Sequence, residues 1–374
     1  MSAVEQLIRC DPFDYSAATA QLFSDALRET VSWHYDQCRE YRNYLDYCRF
    51  SPSELRGSQD VARLPFIHVN IYKEYDLKSV SDSEIKLTLT SSGTGGKKSK
   101  IFLDDTSLRR VTTMARNVYR ALGMVNDDEL VNYCCFTYDP HVAKDLGTAF
   151  TDELLTGFTR KNRVYYTFQF NPNINNFEMD RNDVIRVLEE FEQAGLPVRI
   201  LGFPAFIYDI LDHYRQVRGR KFQFHPKSFI MTGGGWKKQE DKKVGRDFFV
   251  NFIHDQTGIP REHMRDLFGM VEHGVPYVEC TLGKMHIPVY GKLFIKDPDT
   301  LANLPYGQPG LANFITPYLR SYPSVSILVN DFAVLEPGCE CGLGGEILRV
   351  LGRAGITKHA GCALHAETSV NVRG

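Results

Sequence analysis

Apolar side chains recur at helical intervals near the start of the chain. Leu22, Ala26, Thr30 and Trp33 share one face, and the first 60 or so residues read as helical. A clearer pattern runs over 106–122, where Leu108, Val111, Ala115, Val118 and Leu122 repeat at three and four residues. Thr106 is placed to cap that helix and Gly123 to end it. Two further helices, about 182–194 and 205–218, stop at Gly195 and Gly219. Between them lie β-rich runs at 131–138, 163–170, 198–203 and 228–231, so strands alternate with helices. That alternation predicts parallel βαβ units over roughly 85–270. Further on the pattern changes to strands at 287–295, 311–316 and 325–335, separated by Pro298, Pro305, Pro309, Pro317 and Pro323. The expected fold class is therefore α/β. A helical segment (1–84) leads into an α/β core (85–270), a smaller β-rich subdomain (271–352) and a mobile tail (353–374).

Composition narrows the class. Of 374 residues 43% are hydrophobic, and 24 Phe with 19 Tyr exclude a disordered chain. The charge balance, 44 − 46 = −2, removes the main motive for binding nucleic acid or an anionic membrane. Glu5, Arg9, Asp11 and Asp14 interrupt the stretch where a secretory leader needs apolar residues, and no run resembles a membrane span. A soluble cytoplasmic enzyme without stable membrane association is the expectation. The nine cysteines, an odd number scattered along the chain, read as reduced thiols that include metal ligands or a nucleophile.

The richest stretch for chemistry is Thr90-Ser91-Ser92-Gly93-Thr94-Gly95-Gly96-Lys97-Lys98-Ser99-Lys100, after a strand-like segment at 85–89. Glycines let backbone amides approach phosphate oxygens, hydroxyls add hydrogen bonds and lysines neutralise charge. A polar turn has the same composition. The spacing is not that of a Walker A loop. The string resembles the phosphate loop of adenylate-forming enzymes, S-G-T-T-G-x-P-K, with Gly95 at the second Thr and Lys98-Ser99 in place of Pro-Lys. The basic role then falls to Lys97, Lys98 or Lys100.

Four more matches follow in that family's order. Thr232-Gly233-Gly234-Gly235 resembles the turn along the adenine. Phe268-Gly269-Met270-Val271-Glu272 resembles Y-G-x-T-E, whose Glu contributes to a magnesium site. Asn330-Asp331 resembles T-G-D, whose Asp accepts from the ribose hydroxyls, and Gly352-Arg353 resembles the G-R whose Arg reaches the same sugar. The resemblance implies ATP and Mg²⁺ as cofactors and the large body of that superfamily.

The usual small lid domain beyond Gly-Arg is not expected, since 21 residues follow Arg353. Instead Gly361-Cys362-Ala363-Leu364, Ser91-Ser92-Gly93-Thr94 and the early His34-Tyr35…Cys38-Arg39-Glu40-Tyr41-Arg42-Asn43 are similar to LuxE-type acyl-protein synthetases over almost the whole chain. That similarity implies activation of a carboxylic acid, a fatty acid in that family, as an acyl-adenylate. It also implies acyl transfer to Cys362 and delivery to an NADPH-dependent acyl reductase partner. Lys358, His359, His365 and Arg353 flank Cys362 and are placed to lower a thiol pKa.

Cys280, His286, Cys339 and Cys341 form a second constellation. Three thiolates and an imidazole suit a closed tetrahedral zinc site, although C-x-C alone is less specific than C-x₂-C. A similar set, with Glu272-His273-Gly274, occurs in phenylacetate–CoA-ligase-like enzymes. Two alternatives therefore stand beside the leading reading. One is an adenylating ligase for an aromatic or secondary-metabolite acid that passes its acyl group to CoA or a partner. The other is a non-catalytic nucleotide-binding scaffold. His141 reads as a pocket or loop residue and Trp236 as core. No G-x-S-x-G elbow or strand-following G-x-G-x-x-G is present.

Overall fold

The computed structural model describes residues 1–90, 99–140, 142, 153–236, 243–353 and 370–373, the last of these as backbone. The chain divides into two units, each with its own core. The first draws on Met1–Ser91, Lys97–Gly123 and Gly269–Lys358; the second draws on Ser92–Gly96, Met124–Phe268 and His359–Gly374. Strands and helices are numbered along the chain.

In the first unit, α1 (Ala3–Leu7) and α2 (Ala17–Gln37) start at serines whose hydroxyls accept from first-turn amides: Ser2 from Glu5 N, and Ser16 from Thr19 N. α2 buries Phe23, Ala26, Leu27, Thr30, Val31 and His34, so the expected stripe is centred on Ala26 and Thr30, with Leu22 and Trp33 on its flanks. Trp33 Nε1 donates to the Arg320 carbonyl (2.9 Å), and the Arg320 guanidinium lies 4.7 Å from the indole centre. α3 (Arg39–Tyr47) and the short α4 (Ile71–Glu74) follow, with the two-residue strand β1 (Ile67–His68) between them.

β2 (Ile85–Thr90) and β3 (Lys100–Asp104) form an antiparallel hairpin, with Thr90 opposite Lys100 at the end where the connection leaves it. α5 (Asp105–Ala121) is capped by Asp104 rather than by the expected Thr106. The Asp104 carboxylate accepts from Ser107 N (2.8 Å) and is bound by Arg320 (2.6 Å), an anchorage that a hydroxyl at 106 cannot supply. This hairpin and helix, expected in the α/β core, thus belong to the first unit.

Its main sheet has the order β11 (Met285–His286), β15 (Glu346–Arg353), β14 (Ser326–Pro337), β13 (Gly310–Ile315), β12 (Lys292–Lys296), all antiparallel, and β1 joins β14 in parallel. The strand expected over 287–295 starts only at Lys292. Pro288 has no amide to donate, and the chain turns there with Gly291 N on the Pro288 carbonyl (2.9 Å). A further short strand, β10 (Tyr277–Val278), precedes β11.

The second unit holds β4 (Leu130–Tyr138), β5 (Arg160–Asn171), β6 (Asn176–Asp180), β7 (Val198–Gly202), β8 (Phe229–Gly233), β9 (Met264–Phe268) and β16 (Val370–Arg373). They lie in the order β9-β8-β7-β4-β5-β6-β16. The first five are mutually parallel, β6 is antiparallel to β5, and β16 is parallel to β6. Helices α6 (Arg181–Ala194), α7 (Pro204–Arg218) and α8 (Arg246–Thr257) end at Gly195, Gly219 and Gly258, two of them the stops the sequence predicts. Ile200 and Ile230 of the sheet pack with Ile185, Leu188, Ile207, Leu211 and Ile253 of the helices, each burial contributing roughly 1.5–3 kcal/mol. Among the described residues, no helix is long and apolar enough to cross a membrane.

Candidate active site and metal centre

In parallel α/β sheets, ligands gather outside the carboxyl ends of the strands. In the second unit β8 runs out at that edge into Gly233, Gly234 and Gly235. Gly234 and Gly235 have φ of 80° and 70°, and a Cβ at Gly234 would lie 2.8 Å from the Phe203 ring. Only glycine fits there, so the turn is a bare backbone surface. Beside it the Thr232 hydroxyl donates to Asp266 Oδ1 on β9 (2.8 Å), and Phe268 closes the same strand. Trp236 is buried against Tyr208 and Phe249, each 5.8 Å away between ring centres. It is a core residue, as the sequence suggests.

In the first unit Glu272 is buried on a tight turn, its carbonyl taking the Ser324 hydroxyl. Burial raises its carboxyl pKa, opposed by the Ser99 hydroxyl and by the charges of Arg353 and Lys73. Among the described residues no cation stands within ion-pair distance of it. The following residue, His273, is fully buried, with Nε2 2.8 Å from the Tyr277 hydroxyl and its ring parallel to that of Tyr277. Burial pulls its pKa to about 3, so the imidazole is neutral and braces the Glu272 turn from the core side.

Asp331 on β14 and Arg353 on β15 are cross-strand partners. The 3.7 Å between Arg353 Nε and Asp331 Oδ1 is an ion pair too long to be a hydrogen bond. Asn330, one residue earlier, is held by His68 Nε2 (3.1 Å). The Asn70 amide donates to His68 Nδ1 (3.3 Å), which puts the ring proton on Nε2. Sequence reading missed His68 and Ser324, and it quoted Ser99 in the glycine-rich stretch without its contact to Glu272. Ser324 lies 52 residues and His68 262 residues from the groups they serve, and nothing in their local sequence advertises the contact. Lys100, a candidate for the phosphates, is paired with Asp76 (3.2 Å). Ser91, Ser92, Gly93, Thr94, Gly95, Gly96, Lys97 and Lys98 lie outside the described residues, as do His141 and Cys362. Gly269 opens the segment that leads to Glu272.

The four metal-ligand candidates converge within the first unit. Cys280 N donates to the Lys284 carbonyl (2.8 Å) and Gly283 N to the Cys280 carbonyl (3.0 Å), a tight reversal that brings Cys280 beside His286 on β11. Cys339 and Cys341 lie on the turn that follows β14. His286 Nε2 is 3.1 Å from both Cys339 Sγ and Cys341 Sγ, Cys280 Sγ is 3.8 Å from Cys339 Sγ, and all four donor atoms lie within 4.8 Å of one another. Such spacings fit the corners of a tetrahedron with ligand bonds near 2.0–2.3 Å. The outer ring nitrogen of His286 bonds the Gly344 carbonyl (2.6 Å), the usual way of orienting a metal-binding imidazole. Burial and the neighbouring sulfurs raise the Cys339 thiol pKa. The N-terminal segment packs alongside. Phe13 meets His286 edge-on at 6.0 Å, and Tyr15 donates to the Ile287 carbonyl (2.9 Å). Gly345, at φ 72°, leaves room for the Tyr15 ring, which a Cβ would meet at 2.0 Å.

Residues 1–370 match the family described as acyl-protein synthetase, LuxE. The chain belongs to that family. This acyl-protein synthetase relative is 28% identical to the long-chain-fatty-acid–luciferin-component ligase of Vibrio harveyi, over 92% of this chain and 87% of that one. It is 25% identical to the ligase of the same name from Aliivibrio fischeri, over 97% and 93%. Among solved structures it is similar to 2-hydroxyisobutyryl-CoA ligase with 2-HIB-AMP and CoA in the thioesterification state: TM-score 0.69, 15% identity, 92% of this chain and 70% of that chain. The same ligase in its postadenylation state gives 0.67 at 15% identity, over 89% and 67%. These likenesses establish the fold of an adenylate-forming ligase body. Family membership makes the synthetase an acid-activating ligase.

Proposed function

We propose that the chain activates a fatty acid with ATP and carries the acyl group on Cys362. A carboxylate oxygen attacks the α-phosphorus of ATP, the bond to the β-phosphate oxygen breaks, and pyrophosphate leaves. The Cys362 thiolate then attacks the acyl carbon, a thioester forms, and AMP departs with the bonding electron pair. An acyl reductase partner accepts the acyl group from that thioester in the cytoplasm. The observation that carries the reading is the family match over residues 1–370, and the names of the two relatives, from Vibrio harveyi and Aliivibrio fischeri, support a long-chain acid.

The site residues fit these roles. Asp331 accepts from the ribose hydroxyls, and its pairing with Arg353 is loose enough for both side chains to exchange it for contacts to a sugar. The glycine turn at 233–235 offers backbone to the adenine. Glu272, buried and without a paired cation among the described residues, suits a Mg²⁺ ligand. Mg²⁺ when bound supplies charge neutralisation for the phosphates. Lys97, Lys98 and Lys100 share the remaining phosphate charge, and Lys100 must leave Asp76 to do so. Acid-dependent ATP–pyrophosphate exchange tests the reading. Exchange driven by long-chain fatty acids is expected, and none with any carboxylic acid would leave a nucleotide-binding scaffold.

Zinc is the metal we assign to Cys280, His286, Cys339 and Cys341, because a closed three-sulfur, one-nitrogen set suits it and leaves no coordination position for substrate. Its role is structural. Purified protein should carry one equivalent, and stripping it with a strong chelator should lower Tm by roughly 5–10 °C, equivalent to a few kcal/mol for a unit of this size. Metal-free protein with unchanged Tm would contradict the assignment.

A further inference from the structure

The chain around α4 is stitched along the strip that holds the Glu272 turn. Ile67 and His68 of β1 pair with Ile327 and Leu328 of β14, and the Val69 amide donates to the Leu328 carbonyl (2.9 Å). The Tyr72 hydroxyl donates to the Pro323 carbonyl (3.1 Å), and its ring lies 4.8 Å from that of Tyr322. Past the helix, the Ser79 amide donates to the Ser321 carbonyl (2.9 Å). Ser324, next along the same strip, is the residue whose hydroxyl bonds the Glu272 carbonyl. α4 is thereby fixed beside Glu272 by contacts before, within and after it.

Charged groups converge on this arrangement. Tyr322 is fully buried, and its hydroxyl has no hydrogen-bond partner among the described residues. Burial raises its pKa, and the charges of Glu272 and Asp76 add to the rise, so both carboxylates stand near that hydroxyl. Asp76, just past α4, binds Lys100 at the start of β3 (3.2 Å), an ion pair with both side chains about half exposed and so readily exchanged. The charge of Lys73, on α4 itself, reaches the buried Glu272 carboxyl. Among the described residues the Lys73 ammonium nevertheless has no hydrogen bond or ion pair of its own. An ammonium that influences a buried carboxylate from beyond ion-pair distance leaves room for a further charged group beside it. An anion is favoured there, and a phosphate offers several oxygens to the three ammonium donors.

We propose that Lys73 is a further phosphate-binding residue of the site, engaging the β- and γ-phosphates of ATP that leave as pyrophosphate. This rests on the adenylating reading. As the bond from the α-phosphorus to the bridging oxygen breaks, that oxygen keeps the electron pair and the leaving pyrophosphate gains negative charge. An ammonium already held beside it stabilises that charge without reorganisation. Asp76 keeps Lys100 close by until phosphate oxygens replace its carboxylate.

Lys73→Met, Lys73→Arg and Lys78→Met test the assignment in acid-dependent ATP–pyrophosphate exchange. Lys78 lies on the same segment but is occupied by Asp82 (2.7 Å) and by the face of Phe102 (4.5 Å), so its variant controls for the loss of one positive charge. Lys73→Met should raise KM for ATP and for pyrophosphate by at least about fivefold and lower kcat/KM by roughly thirtyfold or more. Lys73→Arg should stay within about fivefold of the intact protein, and Lys78→Met within about twofold. Unchanged KM values in a folded Lys73→Met variant overturn the proposal. A Lys73→Arg variant as impaired as Lys73→Met, both with lowered Tm, makes Lys73 a structural residue and overturns it too. Should Lys73→Met fail to fold, the intact protein decides. Magnesium pyrophosphate alone should slow acetylation of the Lys73 amine by acetic anhydride at least about fivefold, read by peptide mass, with Lys78 labelling unchanged. Lys73 labelling that pyrophosphate leaves unchanged refutes the assignment. Absence of acid-dependent exchange in the intact protein would refute the adenylating reading instead.

Discussion

Replacing Cys362 with serine will abolish hydroxylamine-sensitive acyl labelling of the protein while leaving acid-dependent ATP–pyrophosphate exchange within about twofold. The two half-reactions need different groups. Adenylate formation requires only the carboxylate, ATP and the charges around the phosphates, none of which Cys362 supplies. Capture of the mixed anhydride requires a nucleophile ionised near neutral pH. A thiol has a pKa near 8.5 and falls further beside cations, whereas a serine hydroxyl stays protonated, so its attack is slower by many orders of magnitude. An oxygen ester formed slowly on the substituted serine would also resist hydroxylamine far better than a thioester, and intact mass would separate the two. Loss of exchange along with labelling would place Cys362 in the adenylating step and break that division of labour.

Glu272→Gln should lower pyrophosphate exchange by roughly 10²–10³, the range seen when one preorganised electrostatic group is removed from a phosphoryl- or acyl-transfer site. The structure makes the fold-level consequence small. Glu272 is buried with a raised pKa, so the ionised carboxylate is costly there, and an amide of the same shape is easier to bury. Tm should therefore stay unchanged or rise slightly. The same raised pKa gives the wild-type activity a pH dependence with a definite sign. Exchange should fall as pH drops through the Glu272 pKa, because protonation removes the charge that holds a divalent cation, and the Glu272→Gln variant should lack this acidic limb. An exchange rate close to wild type, together with a lower Tm, would make Glu272 a structural residue.

The contrast between what sequence displayed and what it hid follows from distance along the chain. Cys339 and Cys341 are two residues apart, and Cys280 is six from His286, so each half of the metal set is visible locally; folding only had to bring the halves together. Asp331 and Arg353 each sit in a short motif, and the β14–β15 register makes them neighbours. The glycine stops at Gly195 and Gly219 are equally local, because the left-handed residue is chosen by the helix end itself. By contrast, Asp104 displaced Thr106 as a cap because Arg320, 216 residues away, holds its carboxylate. His68 on Asn330 and Ser324 on the Glu272 carbonyl are similar long-range choices. β16 was hidden for another reason. Val370-Asn371-Val372-Arg373 is too short to signal a strand, and only the β6 edge gives its backbone partners.

The most direct test of acyl activation and carriage is the intact mass of the protein after incubation with ATP, Mg²⁺ and a panel of carboxylic acids. The expected result is a single added acyl mass, largest in yield for long-chain fatty acids, absent without ATP, removed by neutral hydroxylamine and mapped to the peptide containing Cys362. An unchanged mass with every acid, under conditions where pyrophosphate exchange proceeds, would contradict it.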